Sequence, residues 1–255
     1  MAFERTLVTI RERPLAELLD LALVVVRRKP IPLGLAALGG AAPFLALNTW
    51  VFEQTAEAPG IPLLLWLVEA PFATAPLTLV LGNLMFGRRS SPREVVATLG
   101  RSIVPLFVIH GLFRLIPLVF WVPPRLAFAN EVVLLEKGRW WRIWGRGNAL
   151  IHGRSGALFA LALLQVAAIL LFAFVSYVAT GRLGEVLFSE PLTWEVPASS
   201  AFAGPRFQLP IWLGVAFFAV ARFLAYIDQR IRLEGWEVEL RLRDVGRAME
   251  EARRW

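Results

Sequence analysis

Polar residues inside apolar stretches are the side chains of this chain that are best placed to do chemistry. The candidates are Glu69, His110, Arg114, Arg125, Asn130 and Glu131. Each is costly to bury among apolar groups, so these residues are the natural functional candidates, as members of an ion pair or of a polar path. His110 and Arg114 share a helical face at a spacing of four residues, and Arg114 would neutralise Glu69. Such a pair would either line a polar path or only fix helix packing, and we prefer the second interpretation.

A second polar group follows the proline pair Pro123–Pro124. Arg125, Asn130 and Glu131 lie shortly after it, and prolines leave backbone carbonyls without donors, which can create a pocket or an ion site. A helical hairpin with these residues at the membrane surface is an equally open alternative. Arg222, toward the end of the last apolar stretch, is expected to snorkel toward water and to have no further role.

The composition leaves few routes to catalysis. The chain has no cysteine and two histidines, His110 and His152, which excludes disulfides, thiolate chemistry and a histidine-rich metal site. The sequence contains no phosphate-binding loop, nucleophile elbow, zinc-protease helix or dinucleotide fingerprint. We therefore predict that the protein is not an enzyme and binds no cofactor and no metal. An intramembrane enzyme using carboxylates or His110 ranks last among the hypotheses.

Long apolar stretches must position these residues. Hydrophobic residues make up 57% of the chain and charged residues 18%, with a mean hydropathy of +0.59, whereas soluble domains average about 45–50% and 25%. These values predict an all-α integral membrane protein, a bundle of about six transmembrane helices. The predicted spans are residues 31–52, 61–86, 102–122, 123–136, 157–180 and 207–227. The segment 123–136 is short, so a re-entrant or tilted segment is the alternative there. Ala36 and Gly40, four residues apart, have the spacing that lets helices approach closely.

Two further helices flank the spans. Residues 13–28 form an amphipathic pattern that predicts an interfacial helix at the membrane surface. This helix belongs to the predicted transmembrane bundle, which comprises residues 1–228. The pattern of residues 229–255 predicts a charged cytoplasmic helical tail. Its apolar stripe of nearly heptad spacing consists of Ile231, Val238, Leu242, Val245 and Met249. The stripe would dock on the bundle, self-associate or bind another protein.

The basic residues predict the orientation. With the N-terminus inside, 22 of the 27 lysines and arginines lie in cytoplasmic segments and two lie in external loops. This asymmetry places both termini in the cytoplasm. It also explains the net charge of +7 without a nucleic-acid partner, which we do not expect.

A basic and tryptophan-rich segment precedes the fifth span. Arg139, Arg142 and Arg146 gather on one side of its helical wheel, and Trp140 and Trp144 lie on the other. Because tryptophan favours the interface and arginine pairs with anionic headgroups, these five residues are candidate lipid contacts at the inner leaflet. Generic anchoring is preferred over recognition of one lipid or partner.

Residues 123–156 also carry a family resemblance. The features are the bend at Pro123–Pro124, an apolar run ending at Glu136, and the segment from Trp140 to Trp144. This pattern resembles bacterial six-span membrane domains, including the one that precedes the catalytic domain of some glycerophosphodiester phosphodiesterases, and stand-alone relatives of unknown role. The exit from the last span, from Tyr226 to Gly235, looks similar as well. The phosphodiesterase domain itself has no counterpart here, so the resemblance implies a partner-dependent accessory role and carries over no catalytic residue.

Two functional hypotheses follow from these observations. The first is a non-enzymatic, multi-pass protein of the bacterial inner membrane that acts as a scaffold or as a subunit of an envelope-associated complex. Its expected partners are anionic lipids and either another protein or a second copy, bound through the tail. The alternative is a transporter or lipid-handling protein that uses the intramembrane charges. It requires those residues to converge on one water-accessible cavity.

Overall fold

The computed structural model describes residues 14–54, 60–85, 91–112, 126–136, 140–151, 155–188 and 204–234. Nearly all of these residues are helical, and none of them lies in a strand. The helices are α1 (Leu15–Arg28), α2 (Pro30–Gln54), α3 (Gly60–Met85), α4 (Pro92–Leu106) with its π-helical continuation (Phe107–Leu112), α5 (Ala129–Leu135), α6 (Trp140–Ile151), α7 (Ser155–Phe188) and α8 (Pro205–Glu234).

Five of these helices are long and apolar enough to cross a membrane. The prediction of an all-helical protein with several candidate membrane spans is therefore confirmed. The candidate spans are Pro30–Val51, Leu65–Met85, Pro92–Gly111, Ser155–Leu187 and Pro205–Leu233. The predicted fourth span, residues 123–136, is not among them. Its described part is α5, whose 7 residues cover only about 10 Å of a hydrocarbon core of about 30 Å. Within the described residues the count is therefore five rather than six.

Helices α3 and α8 form the centre of the bundle. In each of them 67% of the candidate span is buried, against 17% for α2 and α7 and 22% for α4. Helix α3 packs against α2, α4, α5 and α8, and α8 also packs against α1, α6 and α7. The three outer spans thus keep wide apolar faces exposed, while the two central ones are enclosed by protein.

The composition of the hydrophobic core shows which helices run parallel and which run antiparallel. One cluster contains Leu33 near the start of α2, Met85 at the end of α3, Leu158 near the start of α7 and Ile231 near the end of α8. A second cluster holds the opposite halves of these four helices, with Trp66 of α3 among its members. Helices α2 and α7 therefore run antiparallel to α3 and α8. The start of α2 and the end of α8 lie at the same end of the bundle.

The close helix approach predicted from Ala36 and Gly40 is confirmed at Gly40. A Cβ atom at this position would overlap the backbone carbonyl of Ala73 in α3. Only a residue without a side chain lets the two backbones meet here, so Gly40 sets the distance between α2 and α3.

Helix α1 matches the predicted segment 13–28 closely, and part of its apolar face packs against protein, while its position at a membrane surface stays a prediction. Leu18, Ala22 and Val25 are buried in the core, and the helix packs against α8. The amphipathic pattern is the same for a helix on lipid and a helix on protein, because both bury one apolar stripe.

Three boundaries differ from the prediction. Helix α4 begins at Pro92, ten residues before the predicted span. Pro92 in its first turn and Glu94 shortly after it are start signals that hydropathy ignores. Helix α7 continues to Phe188, so Glu185 lies in a helix rather than in a loop. Helix α8 continues to Glu234, past the predicted boundary at residue 228, and residues 235–255 of the predicted tail lie outside the described residues.

Candidate functional site

Buried polar side chains gather around one short segment of α3, residues 69–74. Each of them exposes 4% or less of its surface. They are Asn48, Glu69, Thr74, His110, Asn130 and Glu131. Four of these six were predicted from the sequence. The other predicted members, Arg114 and Arg125, lie outside the described residues.

An ion pair links α5 to α8. The Nε of Arg222 donates to Oε1 of Glu131 over 3.0 Å, and the Glu131 side chain is fully buried while that of Arg222 is 21% exposed. The Nη2 of Arg222 also donates to Thr74 Oγ1 over 3.3 Å. The prediction that Arg222 snorkels without a role was therefore wrong, since its guanidinium neutralises the most deeply buried carboxylate and reaches a third helix.

Asn130 ties α5 to the backbone of α3. Its Nδ2 donates to the carbonyl oxygen of Pro71 over 2.7 Å and to Thr74 Oγ1 over 3.3 Å. The Thr74 hydroxyl in turn donates to the carbonyl oxygen of Ala70 over 2.8 Å. Asn130 thus bonds to the backbone of α3 and to a side chain one turn further on, within the stretch that contains Pro71 and Pro76.

Glu69 faces α2. The Nδ2 of Asn48 donates to Glu69 Oε2 over 2.8 Å. The predicted partner, Arg114, lies outside the described residues, so the Glu69–Arg114 pair stays a prediction. Asn48 was missed because it is uncharged. The available signal was a lone amide among apolar residues of the first span.

His110 lies on the π-helical segment and packs against α3 at Phe72. The two rings meet edge to face, with centroids 6.3 Å apart and planes at 74°. π-Helical turns often occur at functional positions, and this one brings the buried imidazole to the same part of α3 as Glu69 and Thr74.

A second cluster surrounds Glu136 at the end of α5. The Nε and Nη2 of Arg146 donate to its two carboxylate oxygens over 2.8 and 3.1 Å, and the Tyr226 hydroxyl donates to Oε1 over 2.7 Å. The Arg230 guanidinium lies 3.9 Å from the same oxygen. Helices α6 and α8 are thus joined through one carboxylate.

This arrangement gives one member of the predicted lipid-contact segment a partner within the protein. Arg146 pairs with Glu136, and the buried face of α6 is formed by Ile143, Leu150 and Ile151. Trp144 is 39% exposed, and the lipid contacts of both residues stay predictions. Arg139 and the side chains of Trp140 and Arg142 lie outside the described part of the chain, so their lipid contacts stay predictions.

The ion pairs and hydrogen bonds of this site connect helices to one another. Glu131 with Arg222, and Glu136 with Arg146, each join two helices by a charge-assisted hydrogen bond, which is stronger than a neutral one. Thr74 receives donors from both α5 and α8. The polar groups therefore bind α3, α5, α6 and α8 into one unit.

No protein-family model matches the chain, and searches of characterised proteins and of solved structures found no match either. Inferences about its function therefore rest on the residues and contacts described above.

Proposed function

We propose that this is a non-enzymatic, multi-pass protein of the bacterial inner membrane that serves as a scaffold or as a subunit of an envelope-associated complex. The supporting observation is that two of its carboxylates are paired with residues of other helices. Glu131 is fully buried and paired with Arg222, and Glu136 is held by Arg146 and Tyr226. Among the described residues, these two carboxylates are engaged in holding helices together.

The proposed orientation has both termini in the cytoplasm. Its support is the distribution of basic residues, 22 of 27 of which lie in the segments assigned to that side. Arg27 and Arg28 at the end of α1 and Arg232 in the last turn of α8 belong to the end of the bundle where α2 starts and α8 finishes.

The partner surface in this proposal has two parts. The outer helices supply apolar faces, such as Leu163, Leu171 and Val175 of α7, which are exposed in the isolated chain and would meet lipid or a partner helix. The predicted tail supplies the cytoplasmic part.

Single cysteines test the orientation directly, because the natural chain contains none. We expect a membrane-impermeant maleimide to label Arg182→Cys, at an exposed position beyond the predicted end of the fifth span, in intact cells, and to label Ala16→Cys only after the membrane is opened. Labelling of both positions in intact cells, or the reverse pattern, would contradict the orientation.

Partner binding is tested by cross-linking. A photoreactive amino acid at Leu171 should form adducts with a second polypeptide in native membranes, and the same residue at buried Phe223 is the matched control. If neither position yields an adduct larger than one chain, α7 meets lipid alone and this part of the proposal fails.

A further inference from the structure

The contact between Asn48 and Glu69 is unlike the other buried carboxylate contacts. Asn48 exposes none of its surface and Glu69 exposes 4%, and they meet where α2 and α3 pack closely, beyond the Gly40–Ala73 approach. The buried Glu131 and Asp228 and the partly buried Glu136 each have an arginine partner. The hydrogen-bond partner of Glu69 is a neutral amide.

The charges around Glu69 do not supply a counter-ion within the described contacts. Residues 30–52 of α2 contain no ionisable side chain. On the other elements packed against α3, His110 lies beside Phe72, and Arg222 bonds to Thr74 and to Glu131. With the contacts of the described residues alone, an ionised Glu69 would be a buried charge stabilised by one amide, an arrangement that costs several kcal/mol in an apolar interior.

Two oxygen atoms of this pair lack hydrogen-bond partners among the described residues. They are Oε1 of Glu69 and Oδ1 of Asn48. Both are acceptors, one on each planar group, and the amide already donates to the other carboxylate oxygen. One additional donor between them would satisfy both atoms at once, and buried polar atoms are rarely left unsatisfied.

We propose that Asn48 and Glu69 form an intramembrane proton-binding site. A proton taken from water binds Oε1 of Glu69, and the resulting O–H donates to Oδ1 of Asn48 while the Asn48 amide donates to Oε2. One O–H bond forms and no other covalent bond changes. The product is a neutral, doubly hydrogen-bonded ring between an acid and an amide, which needs no counter-ion.

The site would couple proton binding to the contact between α2 and α3. With the proton bound, the pair is neutral and both helices can pack tightly around Gly40. When the proton leaves, a negative charge remains between two apolar helices, and hydration of that charge requires them to separate. This role is independent of any partner protein, so it goes beyond the proposed function and does not depend on it.

The substitution Glu69→Gln tests the site because glutamine reproduces the protonated acid. Its amide can donate to Asn48 Oδ1 and its carbonyl can accept from the Asn48 amide. We expect the full-length variant in lipid nanodiscs to be at least as stable as the natural protein at neutral pH. In the natural protein the folding equilibrium constant should decrease as pH rises, by up to about tenfold per pH unit, because the native state holds one proton more than the unfolded state. In the variant the contribution of Glu69 to that slope should be lost.

Infrared spectroscopy provides a second readout. The natural protein at neutral pH should show the C=O band of a protonated carboxyl that is absent from Glu69→Gln, and Asn48→Leu should shift the frequency of that band. Glu185→Gln is the control, since Glu185 pairs with Arg182 on α7 and this change should leave slope and band unaltered.

Four results would overturn the proposal. The first three are the absence of the protonated band, a pH slope in Glu69→Gln equal to that of the natural protein, and failure of that variant to fold. Stabilisation by sodium relative to choline at constant pH, lost in Glu69→Gln, would identify a metal cation as the occupant and would also overturn it.

Discussion

The Glu131–Arg222 ion pair allows a quantitative prediction about what holds the bundle together. Removing the arginine, as in Arg222→Met, leaves a carboxylate with no exposed surface and without its one cationic partner among the described residues. Removing the acid, as in Glu131→Gln, leaves a guanidinium that is 21% exposed and keeps its bond to Thr74. The two single variants should therefore be unequal, with Arg222→Met the less stable.

The size of the difference follows from burial. Breaking a buried pair by removing one partner costs about 3–5 kcal/mol, because an uncompensated charge remains. We expect about 3 kcal/mol for Arg222→Met and about 1–2 kcal/mol for Glu131→Gln, whose remaining charge reaches solvent. For a chain of this size, 3 kcal/mol corresponds to a decrease in melting temperature of roughly 6–12 °C. The double variant contains no unpaired buried charge, so it should be more stable than Arg222→Met alone.

Tryptophan fluorescence can follow unfolding, because the chain has 10 tryptophans. The four proteins of the double-mutant cycle should be measured in the same detergent, with a coupling energy of about 1–3 kcal/mol expected for residues in direct contact. If the double variant loses the sum of the two single losses, Glu131 and Arg222 are not coupled and the reasoning is refuted.

Three further predictions concern the other contacts. Gly40→Leu should separate α2 from α3 and lower the free energy of unfolding by about 1–3 kcal/mol, because the new side chain would overlap the backbone of Ala73. Thermal melting measures the loss. Gly39→Leu is the control, because the space around Gly39 is open. Glu136→Gln should release α6, seen as faster amide hydrogen exchange across Trp140–Ile151, whereas Glu185→Gln should leave that exchange unchanged. Asn130→Leu should cost about 1–3 kcal/mol because it removes the donors to Pro71 and Thr74, and a melting temperature equal to that of the natural protein would show that these bonds contribute nothing.

Several features of this fold are readable from the chain itself. Apolar length predicted the membrane class, since a helix that crosses a bilayer needs about 20 apolar residues. The boundaries of α1 and the close approach at Gly40 also followed from local patterns. Four of the residues around α3 were found because a charged or polar group in an apolar stretch is expensive and therefore informative.

The pairings were harder to predict, because they join residues that are distant in sequence. Arg222 and Glu131 are separated by 91 positions, and nothing local distinguishes an arginine that snorkels from one that is paired. Arg146 has the wheel position of a lipid-facing residue, yet Glu136, ten positions earlier, is its partner. Asn48 carries no charge, so the rule that charged residues in apolar stretches are functional candidates does not select it.

If the protein acts as a scaffold or subunit, as we claim, it should leave native membranes as part of a larger complex. The mass of the extracted particle tests this. The protein should be tagged at its natural expression level, extracted in mild detergent and measured by native mass spectrometry. We predict a complex that contains a reproducible second polypeptide or a second copy, and that is lost when Val238 and Leu242 of the predicted tail stripe are both replaced by glutamate. A single chain carrying only lipid, unchanged by those substitutions, would contradict the claim.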